Sequence, residues 1–124
     1  MSSLTDYAKN VLTRALCGRS PVLPTAVFLG LGTGGSDPTG ISGEAVGNGY
    51  ARQRVTFTGT GVQQNAEAVR FTFTAAAGSF SHVGLFDAAS GGNALTWSPL
   101  TSPVAIAGPG TVTINPGAFT MTGD

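Results

Sequence analysis

From Tyr50 onward, apolar side chains return at every second position, and each such stretch stops at a cluster of glycine, proline, asparagine or serine. A period of two puts alternate side chains on opposite faces of an extended strand, and the punctuation is what antiparallel turns require. Tyr50 to Thr58 sets Ala51, Gln53, Val55 and Phe57 on one face and Tyr50, Arg52, Arg54 and Thr56 on the other. Ala68 to Thr74 turns Val69, Phe71 and Phe73 inward and Arg70 outward. Phe80 to Asp87 and Ala94 to Ser98 flank a polar, glycine-rich turn, which makes a hairpin over 80–100 the centre of the arrangement. Pro103 to Ala107, Thr111 to Ile114 and Ala118 to Thr122 complete the set, divided by Gly108-Pro-Gly and Asn115-Pro-Gly.

The first part of the chain reads differently. Ser3 stands three residues before Asp6, a capping-box-like start. Leu4, Ala8, Val11, Leu12, Ala15 and Leu16 then recur at helical spacing, Gly18 supplies a stop, and Pro21 lies beyond it. The pattern predicts one amphipathic helix over about residues 4 to 17. A lone helix of that length is marginal in water, so its apolar stripe must dock on its own sheet or on a neighbouring subunit. Ala26 to Leu31 is apolar on both faces and predicts a buried strand, followed by a long Gly/Ser/Thr/Pro loop over 32–49. The expected fold is mostly β: an antiparallel β-sandwich, with a jelly roll as one form of it, of about seven or eight short strands after one helix. It divides into a helical arm (1–20) and a sandwich domain (21–124).

Composition limits what such a domain does. Six Lys+Arg balance six Asp+Glu, so no electrostatic footprint points to nucleic acid or to an anionic membrane. Only 10% of residues are charged, against roughly a quarter in ordinary soluble domains. An uncharged Thr/Ser/Gly surface resists self-association poorly, which predicts that copies of the chain or a larger assembly cover part of it. Cys17 is the single cysteine and has no partner for an intrachain disulfide. The start has neither the basic nor the continuous apolar region of a signal peptide, so synthesis in the cytoplasm is expected.

Residues suited to chemistry are sparse. Gly30-Leu-Gly-Thr-Gly-Gly35 spells G-x-G-x-x-G, but the chain continues Ser-Asp-Pro-Thr-Gly with no helical period to receive a pyrophosphate. His82, the only histidine, is expected to pack on the strand face that carries Phe80 and Phe86. The acidic residues are scattered singly, with no calcium-loop pattern and no G-x-S-x-G elbow. The expectation is a protein without enzymatic activity, cofactor or metal. Candidate contact residues are Leu4, Tyr7, Val11 and Leu12 on the helix, and Tyr50, Arg52 and Arg54, a strip rich in residue types favoured at interfaces. Trp97 joins them as either a core residue or an interface anchor.

Two stretches resemble small virion proteins of tailed bacteriophages: Gly49-Tyr-Ala-Arg-Gln-Arg-Val-Thr-Phe, after a glycine-rich loop containing Ser36-Asp-Pro, and His82-Val-Gly-Leu-Phe-Asp-Ala-Ala-Ser-Gly-Gly-Asn. The resemblance runs in order through the Leu-Thr-Asp-Tyr-Ala start, Pro24-Thr-Ala-Val and a Gly-Ala-Phe-Thr-Met-Thr ending. It departs at Arg54, where a small apolar residue is usual, and at Gly47-Asn-Gly, where a glycine run is usual. The resemblance implies a non-catalytic virion structural protein, made in the host cytoplasm. The role expected from it is a capsid decoration (cement) protein, a homotrimer bound to the major capsid protein. The alternative is a tail fibre or tail-tip component that binds the host surface.

Overall fold

The computed structural model describes residues 3–21 and 23–121. In chain order its elements are β1 (Ser3–Leu4), α1 (Asp6–Leu16), β2 (Val27–Gly32), β3 (Gly34–Ser36), β4 (Gly40–Ser42), β5 (Gln53–Val55) and β6 (Phe57–Thr58). After these come β7 (Gln63–Asn65), β8 (Val69–Phe73), β9 (Gly78–Phe86), β10 (Ala94–Ile106), β11 (Gly110–Ile114) and β12 (Thr120–Met121). The fold is mostly β with one short helix, as expected. Its main sheet has the order β1-β10-β9-β2-β5, and the pairs β11-β8 and β3-β4 and the trio β12-β7-β6 complete it; all pairings are antiparallel.

The hairpin β9-β10 is the spine of the main sheet. Its loop is closed by Asp87, whose carboxylate accepts from the Asn93 backbone N–H at 2.7 Å and from its side-chain amide at 3.2 Å. Strand β10 is longer than expected: the stretch from Pro103 continues it, after a register shift between Pro99 and Val104. The alternation expected of β9 is also broken. Phe80 reaches the core, and so do Val83 and Leu85, of opposite parity, so the irregularity around Ser81 puts His82 on the face away from Phe80.

The core lies between the main sheet and the β8-β11 pair. Leu29, Leu31, Val55, Val83 and Leu85 of the sheet meet Val69, Phe71 and Phe73 of β8, together with Phe119. The β8 alternation predicted from sequence is realised: Val69, Phe71 and Phe73 are buried, while Arg70 and Thr72 are exposed. Buried Asn65 fastens the β7 end of this layer. Its amide donates to the carbonyls of Glu67 and Asn115, both at 2.9 Å, and its Oδ1 accepts from the Phe119 N–H at 2.9 Å. Both amide protons and the carbonyl oxygen are engaged, which is what a buried amide requires.

Three local expectations are corrected. The helix cap is Thr5, not Ser3: the Thr5 hydroxyl accepts from the Ala8 N–H at 3.2 Å, and Ser3 and Leu4 are drawn into strand pairing with Trp97 and Thr96. Thr5 also donates to the Ala94 carbonyl at 2.7 Å, so the cap is also a tether to the sheet. The stretch from Tyr50 to Thr58 is not one strand, because Tyr50–Arg52 run outside regular structure and Thr56 separates β5 from β6. The long loop is not irregular throughout: it contains the β3-β4 hairpin, with Gly34 and Gly35 in β3.

Candidate assembly surface

Two polar knots fix the loops at one side of the main sheet. In the first, Arg52 forms a two-pronged ion pair with Glu44, Nε to Oε2 at 2.8 Å and Nη2 to Oε1 at 2.9 Å. Its Nη1 donates to the carbonyls of Ala88 and Gly91, both at 2.9 Å, and its guanidinium carbon stands 3.5 Å from the centre of the Phe86 ring. Tyr50 donates its hydroxyl proton to Glu44 at 2.7 Å and accepts from the Leu31 N–H at 3.1 Å. Leu31 O accepts from the Ala45 N–H at 3.0 Å, so the edge of β2 beyond β5 is capped by a side chain and a loop amide. Burial works to raise the Glu44 carboxyl, but the hydrogen bonds from Arg52 and Tyr50 and the nearby cation outweigh it and hold the group below its usual range. Burial, with the Glu44 hydrogen bond, pushes the Tyr50 phenol up.

The second knot ties helix, hairpin and sheet together. Asp37, after β3, accepts from the Trp97 indole at 2.9 Å and from Lys9 Nζ at 3.2 Å, and its backbone carbonyl accepts from the Asp6 N–H at 2.9 Å. The Trp97 bond, and then Lys9, hold the Asp37 carboxyl below its ordinary range. Trp97 stacks on His82 with ring centres 6.3 Å apart, and a Cβ at Gly35 would come within 2.6 Å of its six-membered ring. Glycine is required at that approach because any larger residue displaces the indole.

The structure thus distributes the candidate contact residues unevenly. Leu4 and Val11 are buried, and Tyr50 packs inward on Phe71 and Phe73 with ring centres 6.0 Å away in each case; it does not point away from the apolar layer as the alternation predicts. Arg52 and Trp97 are half-buried in the two knots, and Arg54 is exposed. Tyr7 and Leu12 remain exposed on α1. They border an apolar groove of about 210 Å³, also lined by Val11, Leu23, Phe57 and Met121. The candidate contact residues did not include Leu16 and Leu23, which are 89% and 57% exposed. Leu16 carries the helical period, but the period alone does not say that the helix turns its other flank to the sheet. Asp37 and Glu44, the two acidic residues of the long loop, do not meet as a carboxylate pair: Asp37 holds Trp97 and Lys9, and Glu44 holds Tyr50 and Arg52.

No curated protein matches the chain. The model of one protein family, described as "Podophage GP4 fiber I protein gp80", matches residues 3–122. This match corrects the expectation of a capsid decoration protein: the family is one of fibre proteins, and the major capsid protein as partner rests on the decoration reading alone. The tailed-phage resemblance itself is upheld. Matched over all but its first two and last two residues, the chain belongs to the podophage fiber I (Gp80) protein family.

Proposed function

We propose that this chain is a non-catalytic structural component of the phage fibre apparatus. The observation that carries this reading is the family match along nearly the whole chain. The geometry is consistent with it. Glu44, Arg52, Tyr50, Asp37, Lys9 and Trp97, the side chains best suited to acid, base or binding chemistry, hold loops together within the chain. What faces outward is largely uncharged, with Leu12, Leu16 and Leu23 exposed beside α1. Such a surface suits protein contacts in an assembly. In this reading the main sheet and the β8-β11 layer, with Phe71, Phe73 and Phe119 between them, are the two layers of a β-sandwich that gives the contact surfaces a rigid base.

Deleting the coding sequence from the phage tests the proposal. The expected particles have filled, stable heads, visibly incomplete fibres and reduced adsorption to host cells. Particles with complete fibres and fragile heads would overturn it.

A further inference from the structure

Strand β11 pairs with β8 along one edge, from Gly110 opposite Phe73 to Ile114 opposite Val69. Among the described residues, no strand pairs with its other edge. The preceding strand, β10, ends at Ile106 in the main sheet, so the link over 107–109 parts the two strands and does not close them into a hairpin. An open edge is a row of unpaired N–H and C=O groups, which proteins usually blunt with lysine, proline or a bulge. The β11 sequence Gly-Thr-Val-Thr-Ile has no lysine or proline, and its pairing runs without a register shift. Moreover, the chain carries no Asp, Glu, Lys or Arg anywhere from Ala88 to Thr122. A two-stranded sheet is marginal by itself, and adding strands to it is the common remedy.

We propose that β11 pairs with β11 of a second copy of this chain, antiparallel about a two-fold axis at Val112, joining the two β8-β11 pairs into one continuous sheet. A two-fold contact uses the same patch on both copies, so the strand must be compatible with its own reverse. It is, on both faces. On the inner face one row reads Phe71, Val112, the partner's Val112 and the partner's Phe71, apolar throughout. Ile114 stands opposite the partner's Gly110, and the half-buried Val112 and Ile114 gain cover. On the outer face Thr113 stands opposite the partner's Thr111, and threonine pairs are favourable across strands. The nearest charge is Arg70, opposite Thr113 on β8. The two copies of Arg70 fall in different rows on the outer strands, roughly 14 Å or more apart at ordinary strand spacing, where salt screens their repulsion. This inference does not depend on where in the virion the chain sits.

The test compares two doubly charged variants of the full chain by analytical ultracentrifugation, with circular dichroism as the folding control. Wild type is expected to dimerise as concentration rises. Thr111→Lys with Thr113→Lys places lysine against lysine twice in each dimer and is expected to raise the dissociation constant about tenfold or more. Thr111→Lys with Thr113→Glu places lysine against glutamate in the same register and is expected to restore the dimer. A wild type that stays monomeric, a double-lysine variant that dimerises like wild type, or a Lys/Glu variant as dissociated as the double-lysine one would each overturn the proposal.

Discussion

Arg52 and Glu44 meet through two parallel hydrogen bonds of 2.8 and 2.9 Å, with their side chains only 10% and 24% exposed. The pair joins the end of the long loop to the β9-β10 turn, because the same guanidinium grips the carbonyls of Ala88 and Gly91. Removing one partner leaves the other charge partly buried and two carbonyls without a donor. Arg52→Ala is therefore expected to lower stability by about 2–4 kcal/mol in urea unfolding. Arg52→Lys recovers little of it, since an ammonium lacks the planar fork. An unchanged midpoint for both would show that the knot is ornamental to the fold.

Acid should loosen the same knot. The folded-state pKa of Glu44 lies below the ordinary value of 4.5, so the unfolded chain binds the proton more readily. The stabilisation is complete above about pH 5 and is lost as pH falls through 4.5 and then through the lower folded value. Glu44→Gln should be less stable at neutral pH and should flatten the part of the stability profile below about pH 5. Parallel profiles for the two proteins would exclude Glu44 as the source.

Thr96 is fully buried in the main sheet, and its hydroxyl has no hydrogen-bond partner among the described residues. Valine keeps the shape and removes the unmet polar group. Thr96→Val is expected to stabilise the fold by about 1 kcal/mol, raising the thermal midpoint by a few degrees. A lowered midpoint would indicate that the hydroxyl has a partner after all.

Gly35 touches the indole of Trp97, the chain's only tryptophan. Gly35→Ala is expected to push the ring off Asp37 and toward water, at a cost of about 1–3 kcal/mol, with red-shifted fluorescence. An unshifted emission maximum would contradict the close approach.

Much of this fold was legible because it depends on local periodicity. The Val69-Arg70-Phe71-Thr72-Phe73 alternation and the hairpin around 87–93 appear where the pattern predicts them. What could not be read depends on partners distant in sequence. Ser3 has as good a capping side chain as Thr5, but pairing with Trp97 draws it into β1. The reversal of faces between Phe80 and Val83 breaks the strict alternation on which the β9 reading rests. Arg52 looks like a solvated strand residue until Glu44, Ala88 and Gly91 surround it. The exposed leucines of α1 follow from which flank of the helix the Thr5 and Lys9 tethers turn to the sheet.

The proposed place of this chain is in the fibres of the virion. Electron microscopy of intact virions labelled with gold-tagged antibody against the chain tests it most directly. The expected result is label on the fibres and a bare shell. Label spread over the shell, with none on the fibres, would contradict it.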